Sequence, residues 1–177
     1  MRYLILAVLL CLSFPSWADD PAIEKIRQTY NQIHSSLNSL KRSEFESGWQ
    51  STEGVEAVKY QDRQGKVNLI KVTAFGEMGK TMSEYYYQNQ QVIFALEITK
   101  NYNTPMYIDD KKAKELGIEP YDPKKTTTTE NRYYFKQHKM IRWLEGSQSI
   151  KASDTRFNKE ASRIVSDSQK LFKLAQD

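Results

Sequence analysis

Apolar residues recur three and four apart at Ile23, Ile26, Tyr30, Ile33, Leu37 and Leu40. That is the spacing of one face of an α-helix, and Asp20 followed by Pro21 supplies a cap and a first helical residue. An amphipathic helix is expected from Pro21 to about Arg42. His34 falls beside its apolar stripe with no second ligand at helical spacing, so it reads as a solvated flank and not as a metal site. After a polar stretch from Ser43 to Gly54 with a lone Trp49, strand character begins. Val55 to Gln61 and Lys66 to Phe75 flank a turn that ends in Gly65, and the turn at Gly76 to Gly79 leads into a strand from Lys80 to Gln88.

The run Glu84-Tyr-Tyr-Tyr-Gln-Asn-Gln-Gln-Val-Ile-Phe-Ala-Leu-Glu97 recurs as Arg132-Tyr-Tyr-Phe-Lys-Gln-His-Lys-Met-Ile-Arg-Trp-Leu-Glu145. Each copy reads as a β-hairpin, with three aromatic residues favouring an extended chain and Asn89-Gln90 or Gln137-His138 as a two-residue turn. The pattern breaks between the copies. Over 101–129, Pro105, Pro120 and Pro123 frame a short helix, Asp109 to Leu116, closed by Gly117. A connection of this length is more often functional than a hairpin turn. Past the second copy, Ala161, Ile164, Val165, Ser168, Leu171, Phe172 and Ala175 mark a C-terminal amphipathic helix. The expected fold is α+β: an N-terminal helix, a six-stranded antiparallel meander with a duplicated hairpin, and a C-terminal helix, both helices on one face of the sheet.

Two-residue turns fix which residues share a face. One face then carries Tyr85, Tyr87, Val92, Phe94, Tyr133, Phe135, Met140 and Leu144, so Tyr85, Phe94, Tyr133 and Leu144 are expected beneath the helices. The other face carries Tyr86, Ile93, Tyr134, Ile141 and Trp143, edged by Glu84, Arg132, Lys136 and Lys139. Aromatic and arginine side chains in polar surroundings serve protein-binding surfaces as anchors. Tyr86, Arg132, Tyr134 and Trp143 are accordingly the expected partner-binding residues. The competing reading makes these aromatics cross-strand pairs that stiffen the sheet, or a face covered by the excursion.

The first residues change the setting. Arg2, an apolar run from Leu4 to Phe14 and the sequence Pro15-Ser16-Trp17-Ala18 have the layout of a secretory signal peptide, residues 1–18, leaving a domain over 19–177. The run is too short for a membrane anchor, and no later stretch approaches the ~20 apolar residues of a membrane span. Cys11 is the only cysteine, so cleavage after Ala18 leaves no thiol. An acylated Cys11 is disfavoured by Leu10, which stands where a small residue is expected. An exported chain without disulfides fits a periplasm. N-terminal sequencing of the fractionated protein is expected to begin at Asp19, and an intact or acylated membrane species would refute this.

Loss of Arg2 takes the formal charge from +4 to +3. Its cations are dispersed among acids, which leaves no footprint for nucleic acid. The spacing Gly76-Glu-Met-Gly-Lys-Thr lacks the four residues a phosphate loop places between its glycines. Without a Gly-x-Ser-x-Gly elbow, a His-Glu-x-x-His helix or a calcium loop, the chain offers no catalytic residues, metal or cofactor to assign. The expected function is that of a non-catalytic periplasmic protein that binds another protein, as an inhibitor or immunity protein does. The alternative is a binder of an envelope sugar or lipid on the aromatic face.

Overall fold

The computed structural model describes residues 20–176; the expected signal peptide lies outside them. Helix α1 spans Pro21–Ser36, its N-terminus capped by the Asp20 carboxylate, which accepts the Ala22 N–H at 2.9 Å. It ends short of the expected Arg42 for a local reason. The hydroxyls of Ser35, Ser36 and Ser39 each bond the carbonyl three residues back, an alternative to helical pairing that such residues offer the backbone. A 3₁₀ turn at Leu37–Ser39 follows, and the chain enters the sheet.

Among the described residues the sheet has eight antiparallel strands in strict chain order. They are β1 (Lys41–Glu44), β2 (Val55–Gln61), β3 (Val67–Gly76), β4 (Gly79–Gln88), β5 (Gln91–Asn101), β6 (Thr127–Lys136), β7 (Lys139–Glu145) and β8 (Gln148–Ile150). The expected count of six is corrected by β1 and β8, which close the two edges. Both are short and polar, so neither carries a hydrophobic alternation that would mark it. Between β5 and β6 the excursion holds helix α2, Asp110–Leu116, capped by Asp109 and ended by Gly117 at φ 67°. The last element is α3, Thr155–Leu174, capped by Asp154.

The two hairpin turns place Asn89, Gln90, Gln137 and His138 at φ between 49° and 64°, the left-handed pair of a type I′ turn. Just beyond each turn the register slips. Tyr87 pairs with Val92 but Tyr86 with Phe94, so Ile93 is an extra residue. Phe135 pairs with Met140 but Tyr134 with Arg142, so Ile141 is another. One extra residue turns every later side chain to the opposite face. Phe94 and Leu144 thus join Tyr86 and Tyr134, while Ala95 and Trp143 join Tyr85 and Tyr133.

Both faces are therefore apolar, and the helices lie on opposite sides of the sheet, not on one. Ile23, Ile26 and Ile33 of α1 pack with Leu69, Tyr86, Phe94, Tyr134 and Leu144. Phe157, Ile164 and Leu171 of α3 pack with Ile70, Tyr85, Tyr87, Tyr133, Phe135 and Trp143. Tyr85, Phe94, Tyr133 and Leu144 are all buried, as expected, but in two separate layers. Each such side chain contributes about 1.5–3 kcal/mol by leaving water.

Polar groups fix α3 on its face. The Tyr87 hydroxyl donates to the Ser168 carbonyl at 2.8 Å. The Arg163 guanidinium donates to both Glu97 oxygens at 2.9 and 2.7 Å and to Glu160 at 2.7 Å, with Asp167 at 3.5 Å. Three carboxylates share this one cation. Burial raises the Asp167 pKa, an effect opposed by Arg163 and reinforced by Glu97. For an acid raised in the native state, ionisation is the disfavoured event, so its favourable contribution exists below the unfolded value of about 4 and is lost as pH rises through the native one. Asp167→Asn is expected to raise the melting temperature at pH 7 and to leave it unchanged at pH 3. Thermal unfolding at the two pH values checks this; a destabilised variant at pH 7 would show that the contact with Arg163 outweighs the crowding of charge.

Candidate functional site

On the α1 side the register stacks residues into rows that run across the sheet. Under the helix runs an aromatic row, Tyr60, Leu69, Tyr86, Phe94, Tyr134 and Arg142. The Tyr86 ring lies 4.9 Å from Tyr30 of α1 and 5.6 Å from Phe94, which is 5.0 Å from Tyr134. The next row, Val58, Lys71, Glu84, Leu96, Arg132 and Leu144, is mixed. Here Glu84 pairs with Lys71 at 2.7 Å and accepts the Tyr86 hydroxyl, while Arg132 bonds Glu130. Burial first, and then the Glu84 charge, push the Tyr86 pKa up. The following row, Glu56, Thr73, Met82, Ile98 and Glu130, is more open. Along the strands this face grades from core to half-exposed surface.

The expected binding residues are divided by this arrangement. Tyr86 and Tyr134 are 0% and 5% exposed beneath α1, so they are core. Trp143 lies on the opposite face, 3% exposed, stacked on Tyr133 with the Arg156 guanidinium over its ring and its Nε1–H donated to Asn131 at 2.9 Å. The expectation of one exposed strip is corrected: the bulges and α1 remove three of its four residues from solvent. Arg132 alone is on the surface, at the mouth of a cleft of about 380 Å³ between α1 and the sheet, lined also by Arg27, Tyr30, Asn31, Leu96 and Glu130. This lining offers charge and an aromatic edge for recognition, and neither a histidine nor a thiol for chemistry. Among the described residues no group of His, Cys, Asp and Glu is placed to hold a metal, and no helix is long and apolar enough to cross a membrane.

The surface that individual residues did not advertise is the excursion. Its backbone is tied down: Asn103 donates to the Pro120 carbonyl and accepts the Asp122 N–H, both at 3.0 Å, and the Tyr121 N–H reaches Ile108 at 2.9 Å. Thr104, Ile108 and Ala113 are buried, and the rings of Tyr102 and Tyr121 meet edge to face at 5.4 Å. A bond from Tyr102 N–H to the Met78 carbonyl at 2.8 Å joins the excursion to the β3–β4 turn. On this frame Met106, Tyr107, Leu116 and Ile118 stand 60, 56, 61 and 48% exposed. They follow no helical or strand period; Met106 beside Pro105, and Leu116 and Ile118 beside Gly117, leave a mark in the sequence, and Tyr107 leaves none. Compared with protein-family models, with curated proteins and with solved structures, the chain has no match.

Proposed function

We propose that this protein is a non-catalytic binder of another protein, acting in the periplasm in the manner of an inhibitor or immunity protein, with the excursion as its principal contact. One observation carries this reading. Of the six large apolar side chains that stand well exposed among the described residues, four are on the excursion, and a fifth, Met78, is on the turn bonded to it. Scattered exposed apolar residues need no explanation, but their concentration on one braced loop is what partner surfaces use. Arg132, Leu96 and Ile98, on the half of the sheet that α1 leaves open, supply a neighbouring mixed surface. The two hairpins are read as copies of one unit, supported by their matching turns and bulge positions.

A second reading rests on the cleft beside α1, whose Tyr30 edge and mixed rim of Arg27, Glu130 and Arg132 suit a sugar or a lipid headgroup. The two readings separate by mutation. Tyr107→Ala with Leu116→Ser is expected to leave the melting temperature nearly unchanged and to weaken a partner captured from envelope extract by about 2 kcal/mol or more, as loss of anchors does. Calorimetric titration of that partner checks this. Undiminished affinity in the double variant, with loss in Arg132→Ala, would move the site to the cleft.

A further inference from the structure

Among the described residues, β1 has a neighbouring strand on one side only. It pairs with β2 from Lys41 opposite Gln61 to Glu44 opposite Val58, and the same register continues to Phe45, whose N–H donates to the Ala57 carbonyl at 3.1 Å. By the alternation of an antiparallel ladder, Ser43 and Lys41 also direct their backbone groups to β2, while Arg42 and Glu44 aim N–H and C=O away from the sheet. Among the described residues no backbone group outside the ladder meets them. The flanking segments turn over the two faces instead of running beside the strand. The chain enters β1 from the α1 layer, where Leu37 and Leu40 pack, and leaves it into the α3 layer, where Phe45 and Trp49 pack. Helix α3 ends over β2, where the Lys59 ammonium donates to the Ala175 carbonyl.

Lys41, Arg42 and Glu44 are exposed. Charged side chains ordinarily guard a strand edge against pairing. Here both signs are present, in an order that is symmetric about Ser43. When a second copy of the strand is laid antiparallel about that residue, Arg42 of each copy stands opposite Glu44 of the other. Those two residues also carry the outward backbone groups, so the order of charges and the phase of the hydrogen bonds select the same register. Within its own chain Arg42 contacts Glu44 and Glu56, each at 3.1 Å. Across the axis it gains a further carboxylate, and the four charges alternate in sign. The opposite edge of the sheet, Gln148–Ile150, carries no charge and has no such order.

We propose that the outer edge of β1 is a self-recognition surface, on which two copies of this chain pair antiparallel about Ser43 into one continuous sheet. An edge of four residues makes a weak, reversible dimer. The excursion is separated from this edge by β2, β3 and β4, so the dimer carries two of them and binds a multivalent partner with avidity. Self-pairing does not depend on the excursion as a contact and stands or falls without it.

The test is a concentration series of the ¹⁵N-labelled mature chain, followed by amide shifts and by sedimentation equilibrium. The Arg42 and Glu44 amides are expected to shift and to gain protection from exchange as the dimer forms, while the Ser43 amide, already bonded to β2, changes little. Arg42→Glu and Glu44→Arg, each checked by its melting temperature to be folded, should weaken self-association by about tenfold or more, because each sets like charges opposite one another. An equimolar mixture of the two variants should restore association, and so should the chain that carries both substitutions. A wild-type chain that stays monomeric up to about 1 mM would overturn the proposal, since even a weak pairing is populated there. Shifts centred away from β1 would overturn it too, as would single variants that associate as well as the wild type, or a mixture that does not recover.

Discussion

Replacing Phe94 by alanine is expected to lower the unfolding free energy by about 3 to 5 kcal/mol. The ring is 5% exposed and lies 5.4 Å from Tyr30, 5.6 Å from Tyr86 and 5.0 Å from Tyr134, so it is the centre of the layer between α1 and the sheet. The hole it leaves cannot collapse readily. Its floor is a strand hydrogen-bonded on both sides, to β4 and β6, and such a floor does not rise to meet a helix. Chemical denaturation measures the loss. A cost below about 1 kcal/mol would mean that α1 does not close on this face.

Gly79→Ala is expected to destabilise by roughly 2 to 5 kcal/mol, summing backbone strain and overpacking. Gly79 has φ 154°, and a Cβ there would sit 2.0 Å from the Lys100 carbonyl oxygen and 3.0 Å from its carbon. Both atoms belong to the backbone of β5, which pairs with β4 at Gly79 and Asn101. Relief therefore requires opening the ladder where the excursion leaves it. Gly65 provides the control: its φ is 79° but nothing lies within 4 Å of an added Cβ, so Gly65→Ala should cost only about 1 kcal/mol, the left-handed conformation alone. Equal losses in the two variants, measured by denaturation, would show that close approach is not the deciding term at Gly79.

Much of the architecture is written in local pattern. The stripe from Ile23 to Ile33, the caps Asp20 and Asp154, the two-residue turns at Asn89-Gln90 and Gln137-His138, and the short helix ended by Gly117 can all be read from neighbouring residues. The facing of the hairpins cannot. It depends on one extra residue, Ile93 or Ile141, and Val-Ile-Phe and Met-Ile-Arg read equally well as plain alternation. A signal was nonetheless available: three consecutive aromatics, Tyr85 to Tyr87 and Tyr133 to Phe135, place large rings on both sides of a strand, which calls for cover on both. The expected binding strip fell with the facing, because exposure was inferred from one covered face. Of that set Arg132 stays at the surface, since it sits in the mixed row at the rim of the cover that α1 provides. The exposed residues of the excursion were unreadable for a different reason: without a period, only tertiary structure decides which of Met106, Ile108, Leu116 and Ile118 turns inward.

The placement of α3 makes synthesis through Thr155–Leu174 a condition for a covered sheet. Every strand pairs only with its neighbours in sequence, so the sheet can zip up in the order in which it is synthesised, with little loop-closure entropy to overcome. Its second apolar face must wait. Tyr85, Tyr133, Phe135 and Trp143 are covered only when the last helix, Thr155–Leu174, arrives. A chain stopped before Thr155 would hold a nearly finished sheet with one greasy side bare, a species that chaperones retain and proteases remove. A stop codon just before Thr155 would thus act as a null allele, despite sparing all eight described strands.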